Sequence, residues 1–168
     1  KGYKINFVDL PGTYSLTAHS IEEVVARDFI ITENPDMVID VVDAANFERN
    51  LYLATQVLEL NVPMILSLNM TDLAEKQGYS FDYEKIGQFY NATVVATIGS
   101  KGKGITDLLD AIIDKVENPT ERSESIRVHY GEDIEKELDK IQQLVNKEHK
   151  LAEKYGIRWL SMKLLEQD

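Results

Sequence analysis

The stretch Val62-Pro-Met-Ile-Leu-Ser-Leu-Asn-Met-Thr-Asp72 decides the fold. Val62 to Leu68 is a short apolar run, and the chain then changes abruptly to Asn69 and Asp72. A run of that length, bounded by polar turn residues, is the form of a strand buried on both faces. The same form recurs at Met37 to Val42, where Asp43 marks the end, and at Thr93 to Thr97. Helical periods lie around these runs. Phe47, Leu51, Ala54 and Leu58 step by four, three and four, predicting a helix that ends near Leu60. Asp82 to Tyr90 suits a second helix. Ile105, Leu108, Leu109, Ile112 and Val116 form the stripe of a third, closed by Asn118-Pro119. Parallel neighbours cannot be joined by tight hairpins, so strands alternating with helical crossovers specify a mostly parallel sheet flanked by helices, an α/β fold.

Upstream of this unit, Tyr3, Ile5 and Phe7 alternate and then stop at Asp9-Leu10-Pro11-Gly12, which predicts a strand over Tyr3 to Val8 running into a sharp turn. Ser20 followed by Glu23 is a capping-box signature, and Ile21, Val24, Val25 and Phe29 supply an apolar stripe for the helix it opens. Asn34-Pro35 ends that helix. Downstream of Asn118 the character changes. The polar stretch Thr120 to Ser125 leads into a charged helix whose narrow apolar face is Ile134, Leu138, Ile141 and Val145. A last helical pattern begins at Ile157, includes Trp159, Leu160, Met162, Lys163 and Leu164, and meets no stop signal. The expected division is an α/β unit over 1–118 and a small all-helical subdomain over 119–168, cut at its C-terminal end. With 168 residues and 43% hydrophobic composition, the chain can bury one sizeable core and a small satellite.

A formal charge of -11 repels phosphodiester backbones, so nucleic acid is not an expected partner. The chain has no cysteine, which removes disulfides and thiolate metal sites and leaves oxygen ligands for any metal. No apolar run approaches the roughly 20 residues needed to cross a bilayer. His19, His129 and His149 are scattered with no partner at metal or triad spacing, and read as surface. Trp159 reads as a core residue of the last helix.

The residues with chemical potential lie at predicted strand ends, where open parallel sheets bind ligands. At Asp9-Leu10-Pro11-Gly12, Asp9 is placed to hold a magnesium ion through a water, and Gly12 lets a backbone N–H approach a terminal phosphate. The plain alternative is a Pro-Gly turn. At Asn69-Met70-Thr71-Asp72, the Asp72 carboxylate matches the paired ring and exocyclic N–H donors of guanine, which adenine lacks. With nine Asn and thirteen Asp in the chain, an N-x-x-D match arises about once by chance. Asn6-x-x-Asp9 is such a match, and only the strand-end placement of Asn69 separates the two. Thr97-Ile98-Gly99-Ser100, continuing to Gly104, has the make-up of a loop whose backbone N–H groups cap a base, or of a flexible connector. Three such loops in this order, each at a strand end, point jointly to a guanine nucleotide.

The chain resembles the G domain of FeoB ferrous-iron transporters followed by the start of their helical GDI-like subdomain. The resemblance rests on Asp9-Leu-Pro-Gly-Thr-Tyr-Ser-Leu16, Glu22-Glu-Val-Val-Ala-Arg-Asp28, Val42-Asp-Ala-Ala-Asn-Phe-Glu-Arg-Asn-Leu-Tyr-Leu53 and Asn69-Met-Thr-Asp72, and it covers nearly the whole chain. It implies a P-loop GTPase-like fold, with Asp9 to Gly12 as the magnesium and γ-phosphate box, Asn69 to Asp72 as the guanine reader and Thr97 to Ser100 as the last base-contacting loop. The cofactors implied are Mg2+ and GTP or GDP. The implied partners are the membrane portion of the same polypeptide and, in some assemblies, further copies of the chain, at the cytoplasmic face of the cell membrane. The activity implied for the parent protein is GTP hydrolysis coupled to iron(II) uptake. Ile98-Gly99 stands where many relatives have Ser-Ala, so contacts of that loop are expected to be made by backbone. No G-x-x-x-x-G-K-[ST] occurs in the chain. The first strand, phosphate loop and switch I are expected upstream of Lys1, and these 168 residues alone are expected to bind and hydrolyse GTP poorly. The competing readings are a soluble GTPase of the ribosome-assembly kind and a doubly wound binding module that hydrolyses nothing.

Overall fold

The computed structural model describes residues 2–118 and 128–167; the Thr120 to Ser125 connector lies outside them. Three strands form one parallel sheet in the order β1 (Val38–Asp43), β2 (Met64–Asn69), β3 (Thr93–Ala96). The flanking helices are α1 (Ile21–Glu33), α2 (Phe47–Glu59), α3 (Thr71–Lys76), α4 (Tyr83–Tyr90) and α5 (Ile105–Glu117). The C-terminal helices are α6 (Glu132–Val145), α7 (His149–Tyr155) and α8 (Ile157–Glu166). The two-residue alternation of strand side chains sorts β2 between two cores. Met64, Leu66 and Leu68 meet α2, Ala26 and Ile30 of α1, and Ala74 of α3; Ile65 faces Val95, Ile39 and Ile112 of α5. Burial on both faces is why this strand carries an unbroken apolar run.

The capping box forms as its letters require: Ser20 accepts from the Glu23 N–H, and Glu23 accepts from the Ser20 N–H at 2.9 Å. The buried face of α1 differs from the expected stripe. Ile21 is 78% exposed and Val25 45%, whereas Ala26 and Ile30 are buried against Leu16. Leu16 shares one core with Ala26 and Ile30, and that nonlocal packing selects the buried face, while Val24 and Phe29 of the stripe stay half-buried. The predicted strand at Tyr3 to Val8 does not form. These residues have no strand partner among the described residues, and Phe7 and Val8 stand about three-fifths exposed. A strand exists only through its neighbour's hydrogen bonds, so alternation alone cannot make one. Short α3 and α7 carry no periodic stripe long enough to be read from sequence.

In the C-terminal unit α6 packs on α8, with Leu138, Val145 and Trp159 buried; Ile134 of the expected stripe is 42% exposed. Arg158 joins this unit to α2. Its guanidinium donates to Glu59 at 3.1 Å, to both oxygens of Glu135 at 3.0 Å and to the Val128 carbonyl at 2.7 Å. Tyr130 donates its hydroxyl to the other Glu59 oxygen at 3.1 Å. Arg158 favours the ionised form of both carboxylates, yet their net shifts are opposite. Glu135, the more exposed, is held at about 2, first by its bonds to Arg158; Glu59 is raised, because burial outweighs its pairing. Removing Arg158 strands the buried Glu59 carboxylate, so Arg158→Met is expected to cost about 3–5 kcal/mol in chemical denaturation. A loss under 1 kcal/mol would show the clamp to be incidental.

Asp40 on β1 is buried, and its Oδ2 has no hydrogen-bond partner among the described residues. Burial raises its carboxyl from the usual 3.8 to about 7. The folded state therefore favours the neutral form: that contribution is complete below pH 3.8 and is lost as pH rises through 7. Asp40→Asn should match the parent's stability at pH 4 and exceed it at pH 8 by on the order of 3 kcal/mol. A stability difference independent of pH would contradict this.

Candidate functional site

The register of the sheet builds the site. Asp43 lies level with Asn69, and Leu68 level with Ala96, so Asp43, Asn69 and Thr97 stand side by side at the carboxyl rim. Thr97 extends the ladder by one bond, its N–H donating to the Leu68 carbonyl at 2.8 Å. Buried Thr97 and Ser67 share a hydroxyl bond at 3.0 Å. Asn69 then reaches sideways: its Oδ1 accepts the Gly99 N–H at 2.9 Å and lies 3.5 Å from the Thr97 hydroxyl. The second and third predicted loops are thus one hydrogen-bonded unit.

Met70 adopts the left-handed conformation at φ 58°, which turns the chain sharply into α3. Thr71 is buried and donates to the Thr97 carbonyl at 3.4 Å. Asp72 projects from the first turn of α3, where an anion is favoured. Its Oδ2 receives the Lys101 ammonium at 2.5 Å. That hydrogen bond, more than any other contact, holds the Asp72 carboxyl below the usual carboxylate range.

Between β3 and α5 the loop is closed on itself. Ile98 and Lys103 exchange backbone bonds at 3.0 and 3.3 Å around the 3-10 turn Gly99–Lys101. Ser100 is exposed on that turn. Gly104 sits at φ 80°, and a Cβ there would fall 2.1 Å from the Ala96 carbonyl oxygen. Only glycine fits.

The first predicted loop is arranged differently. Asp9, Pro11 and Gly12 are exposed, and Leu10 packs on the core that holds Val42 and Ala44. Because the Tyr3 to Val8 strand is absent, Asp9 does not stand at a strand end, and no hydrogen bond joins it to Asn69 or Thr97. The residues that follow are tightly held. Leu16 is buried, with its N–H donating to Gln56 of α2 at 2.5 Å. Ser15 donates to Glu23, and the Arg49 guanidinium lies 3.9 Å from the Tyr14 ring centre.

Sequence reasoning missed Lys101, Gln56 and Arg49. A lysine inside a glycine-rich strand-to-helix loop was the available signal for Lys101. Gln56, a polar residue beside Val57 on the inward side of α2, was a signal for a buried backbone partner. Asp43 caps the turn after β1 by accepting from the Ala45 N–H at 2.9 Å and the Asn46 amide at 2.8 Å.

A parallel sheet with this rim, a helix-opening Asn-x-x-Asp turn and a helical extension define a P-loop GTPase-like G-domain fold. Family models agree with that class. Residues 1–112 match "Ferrous iron transport protein B", and residues 130–168 match the "FeoB cytosolic helical domain". The chain is 39% identical over 167 residues to the Fe(2+) transport protein A/Fe(2+) transporter FeoB fusion protein of Porphyromonas gingivalis. It is 36% identical over 171 residues to the Fe(2+) transporter FeoB of Escherichia coli K12. Each alignment covers 99% of this chain but only 20% and 21% of those proteins. The chain therefore spans about a fifth of the length of these relatives. The cytosolic domain of the T. maritima FeoB iron transporter in its GMPPNP form superposes with a TM-score of 0.86 at 34% identity, covering 100% of this chain and 64% of that one. The FeoB G-domain of Methanococcus jannaschii gives 0.64 at 46% identity, covering 66% and 71%. This chain belongs to the FeoB family of ferrous iron transport proteins.

Gly104→Ala is the sharpest test of the loop. It adds one methyl into a backbone oxygen at a left-handed position, and is expected to cost about 2 kcal/mol or more in a thermal melt. Gly102→Ala, with nothing within 4 Å of its Cβ, should cost less. Equal losses would contradict the steric argument.

Proposed function

We propose that this chain is the guanine-nucleotide-binding part of a ferrous iron transport protein, and that nucleotide state governs iron(II) passage through a membrane portion of the same polypeptide. The carrying observation is that Asn69, Asp72 and the Thr97 to Gly104 loop meet on one rim, with the Asp72 carboxylate held ionised in the turn that opens α3. Guanine offers two adjacent N–H donors, and an ionised carboxylate accepts both, which selects GTP and GDP over ATP. In this reading Asn69 fixes the loop through Gly99, and Met70 and Thr71 hold the turn. Thr97, Ile98, Gly99 and Ser100 border the base. The proposed division is a nucleotide-facing unit over 1–118 and a helical unit over 119–168.

Asp9, Leu10, Pro11 and Gly12 would serve the phosphate end. Magnesium is held through one or two carboxylates together with waters and phosphate oxygens, and Asp9 is an exposed carboxylate suited to that role through a water. The bound ion would neutralise charge on the phosphates. The parent protein is proposed to hydrolyse GTP, and these 168 residues alone to do so poorly, since they carry no Gly-x-x-x-x-Gly-Lys phosphate cradle. Among the described residues no helix is long and apolar enough to cross a membrane; the unit is proposed to sit at the cytoplasmic face, with self-association as a further property. Support comes from relatives: FeoB domains of T. maritima have been solved in GMPPNP and GDP forms. Family membership favours this reading over a ribosome-assembly GTPase or a non-hydrolysing module.

Asp72→Ala in the intact protein should weaken GDP binding about 10- to 100-fold while leaving weak ADP binding unchanged. Competition of both nucleotides against a fluorescent guanine nucleotide measures this. Retained preference for GDP would refute the assignment of the base.

A further inference from the structure

Lys101 belongs to none of the predicted loops' functional residues, yet its side chain bridges the two loops at the rim. Its ammonium lies 2.5 Å from Oδ2 of Asp72, across 29 residues of sequence. The backbone that carries it is fixed from several sides. Gly99 is bound to Asn69, the Lys101 N–H donates to the Ile98 carbonyl at 2.9 Å, and Ile98 pairs with Lys103. Gly104 is wedged against Ala96. The contact is therefore a product of the loop's shape as well as of charge attraction.

That placement conflicts with base recognition. Guanine needs both Asp72 oxygens, one for its ring N–H and one for its exocyclic amine. One of the two already accepts from the Lys101 ammonium, which a base must share or displace. We infer that Lys101 is a built-in competitor for guanine, occupying the base-reading carboxylate of Asp72 until a nucleotide displaces it and reclaiming it when the nucleotide leaves. The inference rests on the guanine-binding reading above and adds to it a positioning residue that acts through Asp72.

The energetics suit a release device. The Lys101 side chain is 55% exposed and Asp72 24%, so the pair is weak enough to break on each binding event. While it lasts, the ammonium offsets the Asp72 charge in the empty site. When guanine docks, the ammonium swings into water at little cost, since lysine's flexible stem allows it. Departure of the base is then assisted by a cation waiting within reach. Without the lysine, the empty site would hold an uncompensated carboxylate in a strongly acidic chain, and guanine would be retained longer.

The test compares Lys101→Gln with the parent in the intact protein, using a fluorescent GDP to read affinity and dissociation rate. Lys101→Gln should tighten GDP about two- to five-fold, mainly by slowing its release. Lys101→Arg should behave as the parent. A second arm separates competition from a loop-shaping role. Asp72→Asn reverses the donor pattern and suits xanthosine diphosphate; in that background Lys101→Gln should leave affinity for xanthosine diphosphate unchanged, because no carboxylate remains to be contested. If the parent binds GDP but Lys101→Gln binds it equally or more weakly, the competitor role is overturned and the guanine reading stands. The same follows if the glutamine effect persists in the Asp72→Asn background. If neither parent nor variant binds GDP, the reading of the site itself fails, and this inference with it.

Discussion

The structure depends on the pairing of β2 with strands on both sides. Parallel register is unforgiving: a slip of one residue turns every side chain to the opposite face. Met64, Leu66 and Leu68 fill one core and Ile65 the other, so no such slip is affordable in packing terms. That constraint, set by apolar burial, fixes where the polar residues emerge. Asn69 has to appear beside Thr97 and Asp43 because the strands beneath them have no freedom to place them elsewhere. The rim is a consequence of the core.

From the rim outward, the chain is held by short-range polar contacts. Met70 turns, Thr71 is buried, Asn69 grips the Gly99 N–H, and the loop closes through Ile98 and Lys103. A second set of contacts spreads from α2. Its Arg49 touches Tyr14 and its Gln56 accepts from Leu16, both of which follow the Asp9 to Gly12 turn, and its last residue is bound by Arg158 of the helical unit. One helix therefore touches both the segment after the Asp9 to Gly12 turn and the C-terminal unit. Asp40, buried without a partner for one oxygen, lies on the strand immediately before α2.

Much of this was legible in the sequence, for reasons that differ by element. The strands at 38–43, 64–69 and 93–96 announce themselves as apolar runs between polar breaks, and α2 as an unbroken stripe from Phe47 to Leu58. The Ser20 to Glu23 box is a local device, so its letters suffice. What failed was nonlocal. Residues 3–8 alternate properly, yet a strand needs a neighbour that alternation cannot supply. Ile21 and Val25 look like a core face until Leu16 selects Ala26 and Ile30. The Lys101–Asp72 contact joins two loops that only the folded sheet brings together, and sequence spacing is silent about it. The FeoB resemblance rested on whole stretches such as Glu48 to Leu53, which is why it was more informative than the short Asn-x-x-Asp pattern alone.

We propose that the 69–72 turn and the Thr97 to Gly104 loop border one pocket for a guanine base. A crystal structure of the intact protein with GDP tests it directly. The base is expected between those two segments, with its ring N–H and exocyclic amine on the Asp72 carboxylate and the Lys101 ammonium withdrawn. A base bound away from the 69–72 turn, or Asp72 still paired to Lys101 beneath a bound guanine, would contradict it.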